Sequence, residues 1–204
     1  MGDDTVRIFG IVIAICGALA VFGGETFAIW TFNLETESDF GDSEFDFKFG
    51  TTELHASSEF KYDGESESES ESISYDDGDE CDCDELKGFF SNLKMMFYGL
   101  ILFGIAIAYF GNSGDTENLP AVAGITALLS VGILAYTFMT LPGAFEEDIG
   151  FFEDIDEDEA FFINDEKEHE GIDLKVSAMP HVGFFLPVVS LTLAGLLVKP
   201  ELMD

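Results

Sequence analysis

Four stretches of this chain, residues 8–24, 95–114, 118–145 and 176–198, contain no Asp, Glu, Lys or Arg and are built mainly from aliphatic, aromatic and small residues. A helix on a soluble domain carries charge at every third or fourth position on its wet side, and none of these stretches has such a stripe. The hydrocarbon core of a bilayer takes roughly 20 apolar residues in helical form, which these stretches supply. In the first, the apolar run resumes past Glu25 through Phe27, Ile29 and Trp30 to Phe32. The expected organisation is four spans at 1–33, 88–113, 119–143 and 178–199, joined by loops at 34–87, 114–118 and 144–177, with a tail at 200–204. A cleaved signal peptide fits the first stretch less well, because Asp3 and Asp4 dilute its positive flank and no A-x-A site follows.

The charge lies elsewhere. Of 41 Asp and Glu, 20 fall between residues 33 and 87 and 14 between 144 and 175, against 8 Lys and Arg in the whole chain and a net charge of -33. So acidic a chain has no means of neutralising a row of phosphates, which excludes nucleic acid as a partner. Two alternatives explain the carboxylates. In the first, they hydrate a surface working in molar salt, where a Debye length of roughly 3 Å removes most of their repulsion. In the second, they collect cations. Their spread over both long loops favours the halophile explanation.

An even number of spans puts both termini on one side and both long loops on the other. Long loops translocate with little regard to charge, and the one candidate disulfide lies in them. The expected placement is a multi-pass cell-membrane protein with cytoplasmic termini and two acidic extracellular loops.

Within the first long loop the apolar period is two. Trp30, Phe32 and Leu34 alternate with polar residues, as do Phe45, Phe47 and Phe49, and after Gly50 the phase restarts with Leu54, Ala56, Phe60 and Tyr62. The Gly50 break marks a hairpin or bulge. The Glu-Ser repeat of residues 65–72 has no apolar side and reads as a solvated excursion before a short strand at 73–75. The expected fold class is an all-α transmembrane four-helix bundle with a small antiparallel β-sheet in the first extracellular loop.

Few residues promise chemistry. Asp154, Asp156 and Asp158 copy the opening of a calcium loop, but Glu159 stands where such loops require Gly, so loose Ca²⁺ or Mg²⁺ association is the most they suggest and no tightly bound cofactor is expected. Cys81 and Cys83 read first as a disulfide with each other or with a neighbouring subunit, then as free thiols, then as metal ligands joined by His55 or His169. Small residues recur at four-residue spacing: Ala20 with Gly24, Gly104 with Ala108, Ala123 with Ala127, and Ser190 with Ala194. Such pairs let helices approach closely. The spans hold no carboxylate, Lys or Arg, which disfavours a pump or coupled transporter. No catalytic motif is legible.

Four spans, a strand-patterned first outer loop, Trp30 just after the first span, a short inner loop and a smaller second outer loop resemble the claudin and peripheral-myelin-protein class. The resemblance is one of architecture, since the chain has no second Trp and only one residue separates Cys81 from Cys83. It implies lateral association in the membrane and contacts through the outer sheet. The expected function is that of a non-enzymatic structural or accessory protein of the cell envelope. Its expected partners are the lipid bilayer and either further copies of itself or another membrane protein. The alternative is an oligomeric cation channel with an acidic outer vestibule, against which counts the lack of a polar stripe in the spans.

Overall fold

The computed structural model describes residues 2–38, 41–63, 65–75, 84–114, 117–148, 163–169 and 172–198. Its elements run α1 (Asp3–Phe22), a 3-10 turn (Gly24–Phe27), β1 (Trp30–Ser38), β2 (Gly41–Phe49), β3 (Glu53–Tyr62), β4 (Glu65–Ser74), α2 (Asp84–Ser113), α3 (Leu119–Asp148), β5 (Ile163–His169), β6 (Ile172–Pro180) and α4 (Val182–Val198). Three helices, over Asp3–Phe22, Asp84–Ser113 and Leu119–Phe145, are long and apolar enough to cross a membrane, and α4 is a shorter apolar helix. Large apolar side chains point outward from all four, among them Ile11, Leu102, Leu128 and Phe185. Lipid, unlike water, makes such exposure costless.

The expectation of an all-α bundle with a small sheet in one loop is overturned. The sheet has six antiparallel strands in the order β4-β3-β2-β1-β6-β5, and both long loops contribute to it. Two sequence features concealed this. Val176 and Ala178 of β6 lie inside the last uncharged stretch, so a strand and a helix read as one span. The Glu-Ser repeat, expected to be a solvated excursion, forms β4 and pairs with β3 from Glu53↔Ser74 to Tyr62↔Glu65. An edge strand in water needs only a backbone ladder on its inner side, and its alternating charge blunts the open edge against pairing with other chains.

The first helix also ends earlier than expected. The Gly23 amide donates to the Leu19 carbonyl at 2.8 Å, and Gly24 follows at φ +58, the left-handed geometry that closes a helix. The chain then enters β1 at Trp30.

Register explains where the core sits. Trp30 lies opposite Phe49 on one side and Pro180 on the other, and Phe49 lies opposite Leu54, which lies opposite Ile73. This row sits on the helix ends: the Phe49 ring meets Phe145 edge-on at 4.8 Å and stacks on Phe90 at 6.2 Å. Trp30, Phe49, Phe90 and Phe97 belong to one continuous cluster that joins the sheet to the helices. The sheet is therefore part of the main core. Farther out on the same face, Phe45 and Phe60 pair edge-on at 5.6 Å across β2 and β3.

Short clasps fix the sheet to the helices. Thr51 Oγ1 donates to the Ala20 carbonyl at 2.8 Å, satisfying an acceptor that the end of α1 leaves open. The Gly183 amide donates to the Ala28 carbonyl at 2.8 Å and the His181 amide to the Ile29 carbonyl at 3.0 Å. A Cβ at Gly183 would collide with the Phe27 and Ala28 carbonyls, so only glycine lets α4 start this close to the chain entering β1.

Candidate functional site: the polar face of the sheet

The pleat that turns Trp30, Phe47 and Phe49 toward the core turns Thr31, Asn33, Glu35, Asp46 and Lys48 the other way. On this polar face the side chains are knitted both across and along strands. Thr31 Oγ1 donates to Asp46 Oδ1 at 3.1 Å, and Asn33 Nδ2 donates to Glu44 Oε1 at 3.0 Å. Lys48 pairs with Asp46 at 3.2 Å, Lys61 with Glu59 at 3.4 Å and Lys175 with Glu37 at 3.2 Å. Glu35, Asp42, Glu44 and Glu53 add further carboxylates to the face, so acids outnumber bases on it. The Ser66 hydroxyl, which donates to Glu59 at 2.8 Å, together with Lys61 holds the Glu59 carboxyl below the usual carboxylate range.

The end of this face nearest the helices is more enclosed. Lys48, His55 and Ser72 occupy one row, Lys48↔His55 in β2 and β3 and His55↔Ser72 in β3 and β4. Ser72 Oγ lies 2.7 Å from His55 Nδ1, and His55 Nε2 lies 3.2 Å from Glu53 Oε1. A cavity of about 110 Å³ opens beside them, lined by Glu25, Asp46, Lys48, His55, Ser70 and Ser72 among others. Nothing in the sequence order marks this row. Only the register of two hairpins brings residues 48, 55 and 72 side by side, and Ser72 sat in the segment expected to be a solvated excursion.

On the core side of the sheet, Tyr75 is buried against Phe90, their rings stacked at 5.0 Å. Its hydroxyl has no hydrogen-bond partner among the described residues. Burial, and then the charge of Glu53, push its ionisation well above the ordinary tyrosine value.

The other expected site residues are distributed as follows. Asp154, Asp156 and Asp158 lie outside the described residues, as do Cys81 and Cys83. Among the described residues no group of three or more His, Cys, Asp or Glu is placed to hold a metal ion. Gly104 and Ala108 lie in the contact between α1 and α2, where a Cβ at Gly104 would come within 2.5 Å of the Ala14 nitrogen. Gly10 meets the Ala108 backbone, Gly17 meets Phe97 and Ile101, and Gly111 meets Arg7. Sequence reasoning missed Gly10, Gly17 and Gly111. Their signal was a seven-residue spacing, 10 to 17 and 104 to 111, the period of two helices packed lengthwise. Ala123 and Ala194 are fully buried in a second cluster with Ile13 and Ile107, with Ala127 packed against it. Gly24 lies beyond the helix end in the 3-10 turn.

Inside the bundle, Thr126, Ser130 and Thr137 of α3 and Ser190 of α4 are buried. Each hydroxyl donates to the carbonyl four residues earlier, at 2.8 to 3.1 Å. These groups are satisfied locally, which explains how four polar side chains sit in an apolar interior.

No protein-family model matches the sequence, and no curated protein matches it.

Proposed function

We propose that this chain is a multi-pass membrane protein of the cell envelope. The four apolar helices anchor it, and the six-stranded sheet stands outside the bilayer as an acidic surface for association with copies of itself or with another envelope protein. The first residues of α1 and the last of α4 then face the cytoplasm. The observation that carries this reading is the fusion of sheet and helices. β1 and β6, paired neighbours in the sheet, continue from α1 and into α4, and the Ala20, Ala28 and Ile29 carbonyls clasp the junction. A surface held so firmly at the membrane is preorganised, so a partner loses little affinity to ordering it. Its carboxylates keep it hydrated and soluble in molar salt. The claudin-like arrangement of spans and loops is in keeping with lateral association.

The test is the assembled mass of the full chain, purified in mild detergent at low and at molar salt, with and without Ca²⁺. A discrete oligomer whose population grows with salt is expected. A monomer under every condition overturns self-association and leaves only a partner of a different sequence.

A further inference from the structure

The register of β4 builds a second surface, on the face of the sheet opposite the polar one. Leu54, Ala56, Ser58, Phe60 and Tyr62 of β3 lie opposite Ile73, Glu71, Glu69, Glu67 and Glu65. Directly opposed residues share a face, so the four glutamates stand on the aromatic face and the serines between them on the polar one. An open groove of about 540 Å³ runs along β3, with Ala56 and Ser58 as its floor, Phe45 and Phe47 on one wall and Glu69 and Glu71 on the other. Farther along β3, Phe60 and Tyr62 are 50% and 68% exposed. β4 is the last strand of the sheet, and its residues from Glu65 to Ser72 are all exposed. Among the described residues no strand pairs with its free side, and no cation pairs with any of the four glutamates.

We infer that this groove and edge receive an extended basic segment of another envelope protein, with Lys or Arg at every second position. The inference rests on the reading of the sheet as an association surface and names the partner's chemistry. A strand added to the free side of β4 completes its open backbone ladder. Alternate residues of that strand then stand opposite the glutamates, roughly 7 Å apart on one face. Cations at those positions make cross-strand ion pairs. Arginine adds more, since its planar guanidinium binds a carboxylate through two hydrogen bonds and lies against aromatic rings such as those across the groove. The residues between face Ser66, Ser68, Ser70 and Ser72, which suit small polar partners such as threonine. Charge excludes the nearer occupants. In the register that keeps both aromatic faces on one side, β4 of a second copy opposes glutamate to glutamate. The phenylalanine-rich stretch 149–162 carries six acids and no base. Like charge bars both, whereas a strand of opposite sign is admitted to an edge otherwise protected from pairing.

The experiment uses the full chain in a non-ionic detergent and fluorescent peptides read by anisotropy. One peptide alternates Arg and Thr, a second holds the same residues as a block of Arg followed by a block of Thr, and a third alternates Glu and Thr. The alternating basic peptide is expected to bind about fivefold more tightly than the block peptide, which cannot set all its cations on one face, and the acidic peptide should not bind. Binding should also slow hydrogen exchange at the β4 amides on the free side. Glu69→Gln with Glu71→Gln should weaken it about fivefold, and Phe60→Ala about twofold. Glu35→Gln with Glu44→Gln removes the same charge from the polar face, and at physiological salt should change it less than about twofold. Circular dichroism confirms the fold of each variant, and the comparison of peptides on the wild type depends on none. Equal affinity for the block peptide, unchanged exchange in β4, or equal losses in the two double variants would mean general attraction of a polycation to an acidic chain, and overturns the inference. Free-side amides already protected before peptide is added would mean that residues 149–162 or a second copy fills the edge, and overturns it too. A monomer that binds the alternating peptide defeats self-association alone, and an oligomer that ignores it defeats this inference alone.

Discussion

The Asp148 carboxylate, at the last residue of α3, accepts hydrogen bonds from the Leu86 amide at 2.7 Å and the Glu85 amide at 3.4 Å, in the first turn of α2. These amides are among those a helix start leaves without an intrahelical partner, and the negative charge also opposes the positive end of the helix dipole. The cap comes from a residue 62 positions away from Leu86, so it joins the end of one helix to the start of another as well as completing the second.

Replacing that cap should weaken the half of the bundle that carries the sheet. Asp148→Ala is expected to cost about 1 kcal/mol, the usual loss for a helix cap. Asp148→Asn should lose less, because its amide oxygen still accepts. Thermal unfolding in detergent, followed by circular dichroism, reads both. Equal stability of wild type and Asp148→Ala would show that the cap contributes nothing.

The contact between α1 and α2 predicts a contrast between glycines. Gly104→Ala places a methyl within 2.5 Å of the Ala14 backbone nitrogen, and Gly111→Ala does the same at Arg7. Backbone cannot swing aside as a flexible side chain can, so the helices must separate, at a cost of about 1–3 kcal/mol. Gly124→Ala and Gly132→Ala meet nothing within 4 Å. They should be neutral or stabilising by up to about 1 kcal/mol through helix propensity. Resistance to unfolding in mixed micelles would rank the four variants, and a ranking with Gly104 among the tolerant sites would contradict the geometry.

Much of this architecture was legible because the features concerned are local. Absent charges mark the helices, and the alternation of Phe45, Phe47 and Phe49 marks β2. What was not legible depends on pairing. The β4 repeat contains no apolar residue before Ile73, so only its ladder with β3 makes it a strand. The second loop joins the sheet because β6 lies beside β1, a neighbour far away in the sequence. The same dependence hid the Ser72, His55 and Glu53 arrangement, whose members look unremarkable until two hairpins set their register. It also hid the glycine seam. Gly104 and Ala108 stand out at four-residue spacing, but their partners on α1 are identified only once the antiparallel packing is known.

Tyr75 predicts a loss of stability on the alkaline side. Its ionisation lies near pH 10 in an unfolded chain and well above that in the fold, because burial and the Glu53 carboxylate both oppose the tyrosinate. Below the unfolded value both states hold the proton and Tyr75 adds no pH dependence. As pH rises past it, the unfolded chain releases a proton that the folded one retains, and stability falls until the folded value is reached. Tyr75→Phe should abolish this part of the alkaline loss. At neutral pH it should be neutral or stabilising by about 1 kcal/mol, since it removes a buried hydroxyl with no partner among the described residues. Unfolding midpoints of both proteins across alkaline pH test this, and identical pH dependence would refute it.

Salt should act on the sheet far more than on the helices. The polar face sets Glu35 opposite Glu44, and Glu44 opposite Glu59, so three carboxylates cross three strands in one row. Like charges directly opposed across strands destabilise a sheet. Lys61 pairs with Glu59, and Asn33 donates to Glu44, but neither neutralises the row. Repulsion between partly exposed groups weakens as the Debye length shrinks from roughly 10 Å at 0.1 M salt to roughly 3 Å at 1 M. Raising salt should therefore raise the unfolding midpoint of the sheet, followed by hydrogen exchange in β2 and β3, while exchange in the middle of α2 and α3 stays unchanged. Glu44→Gln removes the central charge of the row. It should stabilise the sheet at low salt by about 0.5 kcal/mol, and this gain should vanish at molar salt. A variant equally stabilised at both salt concentrations would mean that its effect comes from hydrogen bonding to Asn33 and not from charge.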